Sequence, residues 1–427
     1  MPRDGKDRRS QAGAADVKSL AGLNGARRSR NMGAIQLVQV KTRMTYRLYG
    51  TPGSLYTGKA RSYLIKQGIA FENRAAGEER FRAEIVPKIG RWIIPVLEGE
   101  DGEIVQDGSD IITHFESRET TRHPAFPATP LHALIGQIFE LFGGEGLLRP
   151  AMHFRWNFDD INRDFLAEDF PAALAPTGAS AEERATVFAM ASRRMRKAMA
   201  IFGVSPETIP AVEASYAHFL HLFNEHLAAS PYLLGGRPTI GDYGLVAPLY
   251  AHLARDPYPS QIMKRTAFRV WRWVERMNAT DQDAGEYGDC SETLFANDAV
   301  PESLKALLHF IAEDYLPEVR AYVAFANEWL AQRPDLEAGA SGLDRTQDRS
   351  IGEVAFSWRG HDVRVAVMAY RLYLLQKVQD VFDSASPDSR VAMEALLSET
   401  HCLPLLHLRT SRRVERRNHL EVWCAPR

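Results

Sequence analysis

Apolar and polar positions change period several times along this chain. Tyr46 to Tyr49 alternates and predicts a short strand, which the Thr51-Pro52-Gly53 turn ends. Beyond the turn, Ala60, Tyr63, Leu64 and Ile65 recur at helical spacing. They predict a helix from Ser54 or Tyr56 to Gln67, with Gly68 as its C-cap. "IAFEN" returns to a strand pattern, so a β-α-β unit closes within about 30 residues and implies parallel strands with a right-handed crossover. A polar helical stretch, Glu78 to Ile85, follows. "IIPVLE" and "EIVQ" then predict a hairpin across "GEDG", and Ser109 to Glu116 a closing helix. Pro95 sits inside the first hairpin strand, where a missing N–H is not tolerated in a central position. A cis Ile94–Pro95 bond is the expected solution.

Pro124, Pro127 and Pro130 mark a linker, and the period is then helical for a long way. Leu131–Leu148, Glu182–Phe202, Pro210–Ala229, Gly241–Leu253 and Ala267–Met277 each show it. Thr239 and Asp242 have capping-box spacing over "YGLVAPLY". Further on, Ser303–Gln332 reads as a helix, 335–350 as loop, and "GEVAFSWRGHDVRVAV" as a β-hairpin across Arg-Gly. Ala369–Phe382 and Ser389–Leu397 are helical again. The divisions are a leader at 1–43, an α/β unit at 44–118, helices at 131–287, and an extension at 288–427 with its hairpin near 352–367.

Composition narrows the function classes. A chain of 427 residues has room for two or three domains, and 45% hydrophobic with 25% charged residues is ordinary for a globular protein. A net charge of -2 offers no field for nucleic acid, and no apolar run reaches the roughly 18 residues of a membrane span. Cys290, Cys402 and Cys424 make a poor disulfide framework and fit a reducing, cytoplasmic setting. None lies near the Thr51–Ser54 turn. The leader carries Arg3, Arg8, Arg9, Arg27, Arg28 and Arg30 with few large apolar residues. It reads as disordered, as a transit-like peptide, or as a mis-assigned start before Met44.

Three patterns carry less weight. His218, His221 and Glu225 share a helix face with metal-ligand spacing but no further ligand cluster, so packing is expected there. Asp281, Asp283 and Glu292 sit at positions 1, 3 and 12 of a calcium loop, but Gly285 and Glu286 occupy positions 5 and 6. An acidic interdomain loop is expected. "HLRTSRRVERRNH" holds Arg409, Arg412, Arg413, Arg416 and Arg417, and reads as a solvated helix face.

The βαβ-α-ββα order with proline after "II", followed by helices with a "PTIGDYGL" cap, resembles the glutathione transferase superfamily over about Tyr46 to Asn278. "LFGGEGLLRPAMHFRWN" and the hairpin-bearing tail are similar to a long, poorly characterised bacterial branch of it. The resemblance implies an α+β fold: a thioredoxin-like N-terminal domain, an all-α domain, and a helical extension containing a β-hairpin. It also implies glutathione as co-substrate, a small and hydrophobic electrophile as the other substrate, and the homodimer habitual in the superfamily.

Residue by residue, Ser54 matches the catalytic serine of the serine-type members. A thiol with pKa near about 8.5 is mostly protonated at neutral pH. A donated hydroxyl hydrogen bond and the partial charge of a helix N-terminus both favour the thiolate. Ser54 would therefore hold a nucleophile carried by glutathione; the plain alternative is an N-cap. Tyr56 is the rival donor. Thr57, Lys59 and Arg61 are expected on the helix surface, with Lys59 able to attract the tripeptide's carboxylates. Ile94, before Pro95, matches the residue whose backbone pairs with the cysteinyl part. Asp107 matches the acid that takes the γ-glutamyl ammonium. Gly108 stands where the family has serine, so Ser109 either substitutes for it or is a simple N-cap. Phe139, Phe142, Met152, His153, Phe154 and Trp156 are candidates for the electrophile pocket or for core, and His153 with Arg155 for an acidic group. The function that follows is a glutathione transferase-like enzyme that activates the thiol of glutathione for attack on that electrophile. The alternative is a binding or scaffold protein of that fold without turnover, to which Gly108 and the tail lend some support.

Overall fold

A computed structural model describes residues 45–118 and 121–426; the leader lies outside them. The first unit runs β1 (Tyr46–Gly50), α1 (Leu55–Gln67), β2 (Phe71–Ala75), a π-helical turn (Phe81–Ile85), α2 (Val86–Ile89), β3 (Val96–Glu98), β4 (Ile104–Gln106) and α3 (Gly108–Glu116). The strands lie in the order β2-β1-β3-β4. β1 and β2 are parallel, with Leu48 opposite Asn73; β3 runs antiparallel to both β1 and β4, with Leu97 opposite Leu48 and Val105. Alternation along β1 sends Leu48 to one face and Tyr49 to the other. Leu48 and Leu97 pack with Ala60, Tyr63, Ile111, Ile112 and Phe115 of α1 and α3. Tyr49 and Val96 pack with Phe81, Ile85, Ile89 and Ile93. Gly68 ends α1 at φ 65°, and the Ile94–Pro95 peptide bond is cis.

The remainder is mostly helical: α4 (Pro130–Leu141), a π turn (Phe142–Gly146), α5 (Leu148–Trp156), α6 (Asp159–Leu174), α7 (Ala181–Ala198), α8 (Ile209–His226), α9 (Ile240–Pro248), a second π turn (Leu249–Ala254), α10 (Pro257–Thr266), α11 (Phe268–Met277), α12 (Glu302–Asp314) and α13 (Leu316–Ala331). The Asp242 carboxylate at the start of α9 accepts from the Thr239 N–H and hydroxyl, and from Leu233 N and Trp273 Nε1. The helix expected over Leu131–Leu148 ends at Leu141, and α5, α6 and α10 are not foreseen in the pattern. Only Asn162, Leu166, Pro171 and Ala173 of α6 are buried, so its apolar stripe is thin. Pro257 and Pro259 of α10 read as breakers, yet a first turn tolerates proline. The single helix expected over Ser303–Gln332 is two, divided at Tyr315 ahead of Pro317.

The chain continues through β5 (Ser350–Trp358), β6 (His361–Met368), α14 (Ala369–Ser384), α15 (Pro387–Glu399), α16 (Pro404–His407), β7 (Arg412–Arg417) and β8 (Leu420–Pro426). β5–β6 is the foreseen hairpin. The basic stretch expected as a solvated helix face is instead a second hairpin, β7–β8. Asn418 and His419 turn it with φ of 49° and 66°, the left-handed pair that suits a two-residue hairpin. Its cations are matched: Arg413 pairs with Asp380, Arg417 with Glu415, and Arg412 donates to the carbonyls of Leu336 and Pro334. The described residues form one compact unit. Its core runs without a break from Tyr63 through Phe139 and Tyr243 to Leu307, Tyr370 and Trp423.

Candidate active site and the tail that reaches it

The turn before α1 is held from the helical region. Arg155 Nη1 donates to Gly53 O at 2.9 Å, and the same guanidinium is pinned by Asp256 at 2.6 and 2.8 Å and by Ala251 O at 2.8 Å. The Arg255–Asp169 pair lies against Gly53, where a Cβ would come within 2.7 Å of Asp169 Oδ2. Arg155 is thus committed to the turn. His153 is committed too, with Nε2 2.9 Å from Glu213 and Nδ1 2.8 Å from Asn157.

Ser54 is the N-cap of α1, in extended backbone, and its Oγ accepts from Thr57 N at 3.4 Å. It is half-buried, as is Ile94. The Tyr56 hydroxyl donates to Glu145 Oε1 at 2.8 Å. Burial first, then the Glu145 charge, raise that phenol well above its ordinary range. Glu145 is placed by the π turn after α4 and held by Arg371 Nε at 3.0 Å; Arg371 and Arg149 both bind Glu318 at 2.7 Å.

The start of α3 is more crowded. Asp107 takes a left-handed φ of 96° and caps the helix. Its Oδ1 accepts from Ser109 N at 2.8 Å, Asp110 N at 3.3 Å and the Tyr370 hydroxyl at 3.0 Å. Ser109 Oγ donates to Glu140 Oε1 at 2.5 Å and accepts from Lys59 Nζ at 2.6 Å; Lys59 Nζ lies 2.5 Å from the same carboxylate oxygen. Burial raises Glu140, but the Lys59 charge beside it wins and holds the carboxyl below its ordinary range. Thr57 and Lys59, expected on a helix surface, are therefore buried, at 2% and 3% exposure. Gly108 has a local reason: a Cβ there would meet Tyr56 O at 3.0 Å and Lys59 Cδ at 3.2 Å, so α1 and α3 close on it.

The extension supplies the remaining partners. Tyr370 and Tyr373 of α14 donate to Asp107 and Asp110, the latter at 3.1 Å. Arg416 of β7 binds Asp110 Oδ2 at 2.7 Å and Gln106 Oε1 at 2.5 Å, and also pairs with Glu421, which Arg91 holds at 3.0 Å. Burial and then the Asp107 charge push Asp110 up, against the pull of Arg416 and Lys377.

A γ-glutamyl group needs an open acid for its ammonium and an open hydroxyl for its carboxylate. Asp107 is 5% exposed and Ser109 0%, and both are already bonded. The residues present do not fit that end of glutathione in this conformation. The electrophile-pocket candidates are core: Phe139, Phe142, Met152, His153, Phe154 and Trp156 are at most 5% exposed. Glu140, Glu145, Tyr370, Arg371 and Arg416 were missed as partners of the site, and Lys59, expected to attract the tripeptide's carboxylates, binds Glu140 instead. The available signal was opposite charge, Lys59 and Glu140, inside otherwise apolar helix faces. Among the described residues no group of three or more His, Cys, Asp or Glu side chains could hold a metal ion, and no helix is long and apolar enough to cross a membrane.

Comparisons with known proteins follow the same division. Residues 48–123 match the family model for the glutathione S-transferase N-terminal domain. No curated protein sequence matches. Solved structures that resemble the chain include a glutathione S-transferase from Xanthobacter autotrophicus Py2, at 20% identity, over 55% of this chain and 93% of that one, with TM-score 0.31. A β-etherase from Sphingobium sp. strain SYK-6 gives 15% identity, 57% and 98% coverage, and 0.39. A glutathione S-transferase from Methylobacterium radiotolerans, in complex with glutathione sulfonate, gives 20%, 60% and 100%, and 0.33.

Proposed function

The chain belongs to the glutathione transferase superfamily through residues 48–123, and from that premise we propose a glutathione transferase-fold binding or scaffold protein that does not turn glutathione over in the state described. One observation carries this reading: the Tyr370 hydroxyl sits 3.0 Å from Asp107 Oδ1, where an ammonium would be received. A fold does not by itself bring its relatives' reaction. Glutathione conjugation is the second reading. It is favoured by Ser54, half-buried at the N-terminus of α1 and, like Ile94, not covered as Asp107 and Ser109 are. An assay with glutathione and an activated aryl halide separates the two. The first reading expects no rate above the uncatalysed one, and no difference between the wild type and Ser54→Ala. Catalysed conjugation that Ser54→Ala abolishes would establish the second instead. The electrophile and the homodimer stay with the second reading, as what the resemblance implies, and the cytoplasmic setting stays a proposal from the sparse cysteines.

A further inference from the structure

We infer that the extension carries an intramolecular ligand for the amino-acid end of this site, so that Tyr370 and Arg416 compete with any ammonium-bearing ligand for Asp107 and Asp110. The inference rests on the reading above and names how the site is regulated.

Asp107 caps α3 and is buried, and Asp110 lies in its first turn and is half-buried. Two neighbouring carboxylates repel and call for a cation. Among the described residues, every side-chain hydrogen-bond donor that reaches them comes from the extension: Tyr370 to Asp107, and Tyr373 and Arg416 to Asp110. Arg416 is itself 6% exposed at its side chain, so its charge is spent on this cluster and on Glu421. The guanidinium and the phenol together present what the ammonium of an α-amino acid would present. Next to them, the Lys59 ammonium and the Ser109 hydroxyl both bind the Glu140 carboxylate. The two acids are thus already filled by a mimic of an ammonium group.

The carboxylates are reached by three side-chain ends, those of Tyr370, Tyr373 and Arg416, while α14 and β7 are also held by contacts away from the cluster. The apolar contacts of Val414 and Trp423 hold the hairpin independently of Arg416.

The test uses the full chain and isothermal titration with glutathione. Tyr370→Phe removes one hydroxyl and keeps the ring. Arg416→Gln removes the charge. Arg413→Gln, whose guanidinium binds Asp380 outside the cluster, is the control. The inference expects the double variant Tyr370→Phe/Arg416→Gln to bind at least about tenfold more tightly than wild type, with Arg413→Gln unchanged. Should the double variant fail to fold, Tyr370→Phe alone is expected to gain affinity in the same direction. A folded variant that binds no better than wild type overturns the inference and leaves the non-turnover reading standing. Tight binding by the wild type itself, with no gain in the variants, overturns the inference as well, while catalysed conjugation in the aryl halide assay is what overturns the non-turnover reading.

Discussion

Lys59 carries its charge between two helices at 3% exposure, and its ammonium has two partners, Glu140 and Ser109. Removing one member of a buried pair leaves the other uncompensated, which typically costs about 3–5 kcal/mol. Lys59→Ala is expected to lose that much in urea unfolding, and Lys59→Ala with Glu140→Ala to lose less than the sum of the singles. His226 makes a second residue-scale prediction. Burial depresses its imidazole to about 4, from an ordinary value of 6.5. The neutral ring suits its surroundings, with Leu233 O 2.9 Å from Nε2 and the Ser303 hydroxyl 2.9 Å from Nδ1. Above pH 6.5 it is neutral whether folded or unfolded, so its contribution is fully present. As pH falls from 6.5 towards 4 the unfolded chain binds the proton first, and stability drops by about 1.4 kcal/mol per pH unit. Thermal unfolding across that window should show the slope, and His226→Gln should flatten it. At this scale the residue types of the site were legible in the sequence, because turn chemistry and helix caps are local. Their partners were not. Nothing near Asp107 announces Tyr370, 263 positions away.

Between elements, close approach decides where the acids sit. The π turn after α4 crosses α9 at two glycines. A Cβ on Gly143 would fall 2.4 Å from Gly244 C, and one on Gly244 2.5 Å from Glu140 Cα. That crossing sets the depth of Glu140 and Glu145 beneath α1. Gly244→Ala is expected to destabilise by about 1–3 kcal/mol, as overpacking does, in the same unfolding measurement. A value near zero would mean that the crossing is not tight. Elements with a strong stripe or an unambiguous turn, such as α1, α3 and β5–β6, were readable from period alone. β7–β8 was not: its Arg-rich strand pairs Arg413 with Asp380 of α14 and Arg417 with its own Glu415, and turns Arg416 inward, and a run of arginines hides the alternation.

At the scale of the molecule, the extension is built into the body. Glu145 and Arg149 near α1, Glu318 of α13 and Arg371 of α14 form one buried, charge-balanced group, with Arg149 stacked 4.4 Å from the Trp358 ring. Arg371→Ala is expected to cost about 3–5 kcal/mol. Because the group spans both regions, hydrogen exchange should rise together in β1 and β7. Protection lost in β7 alone would show the tail to be an independent unit. The superfamily fold was legible because its pattern is contiguous over residues 48–123. The closure of its site was not, because it depends on chain packed back from residues 370–421.

The central claim is that this closure governs the proposed glutathione site, and co-crystallisation of the wild type with glutathione tests it most directly. The account predicts that the Tyr370 hydroxyl remains about 3.0 Å from Asp107 Oδ1, with no tripeptide amino group on that carboxylate. A tripeptide bound with its γ-glutamyl end on Asp107 and Ser109, while Tyr370 and Arg416 keep their present positions, would contradict it.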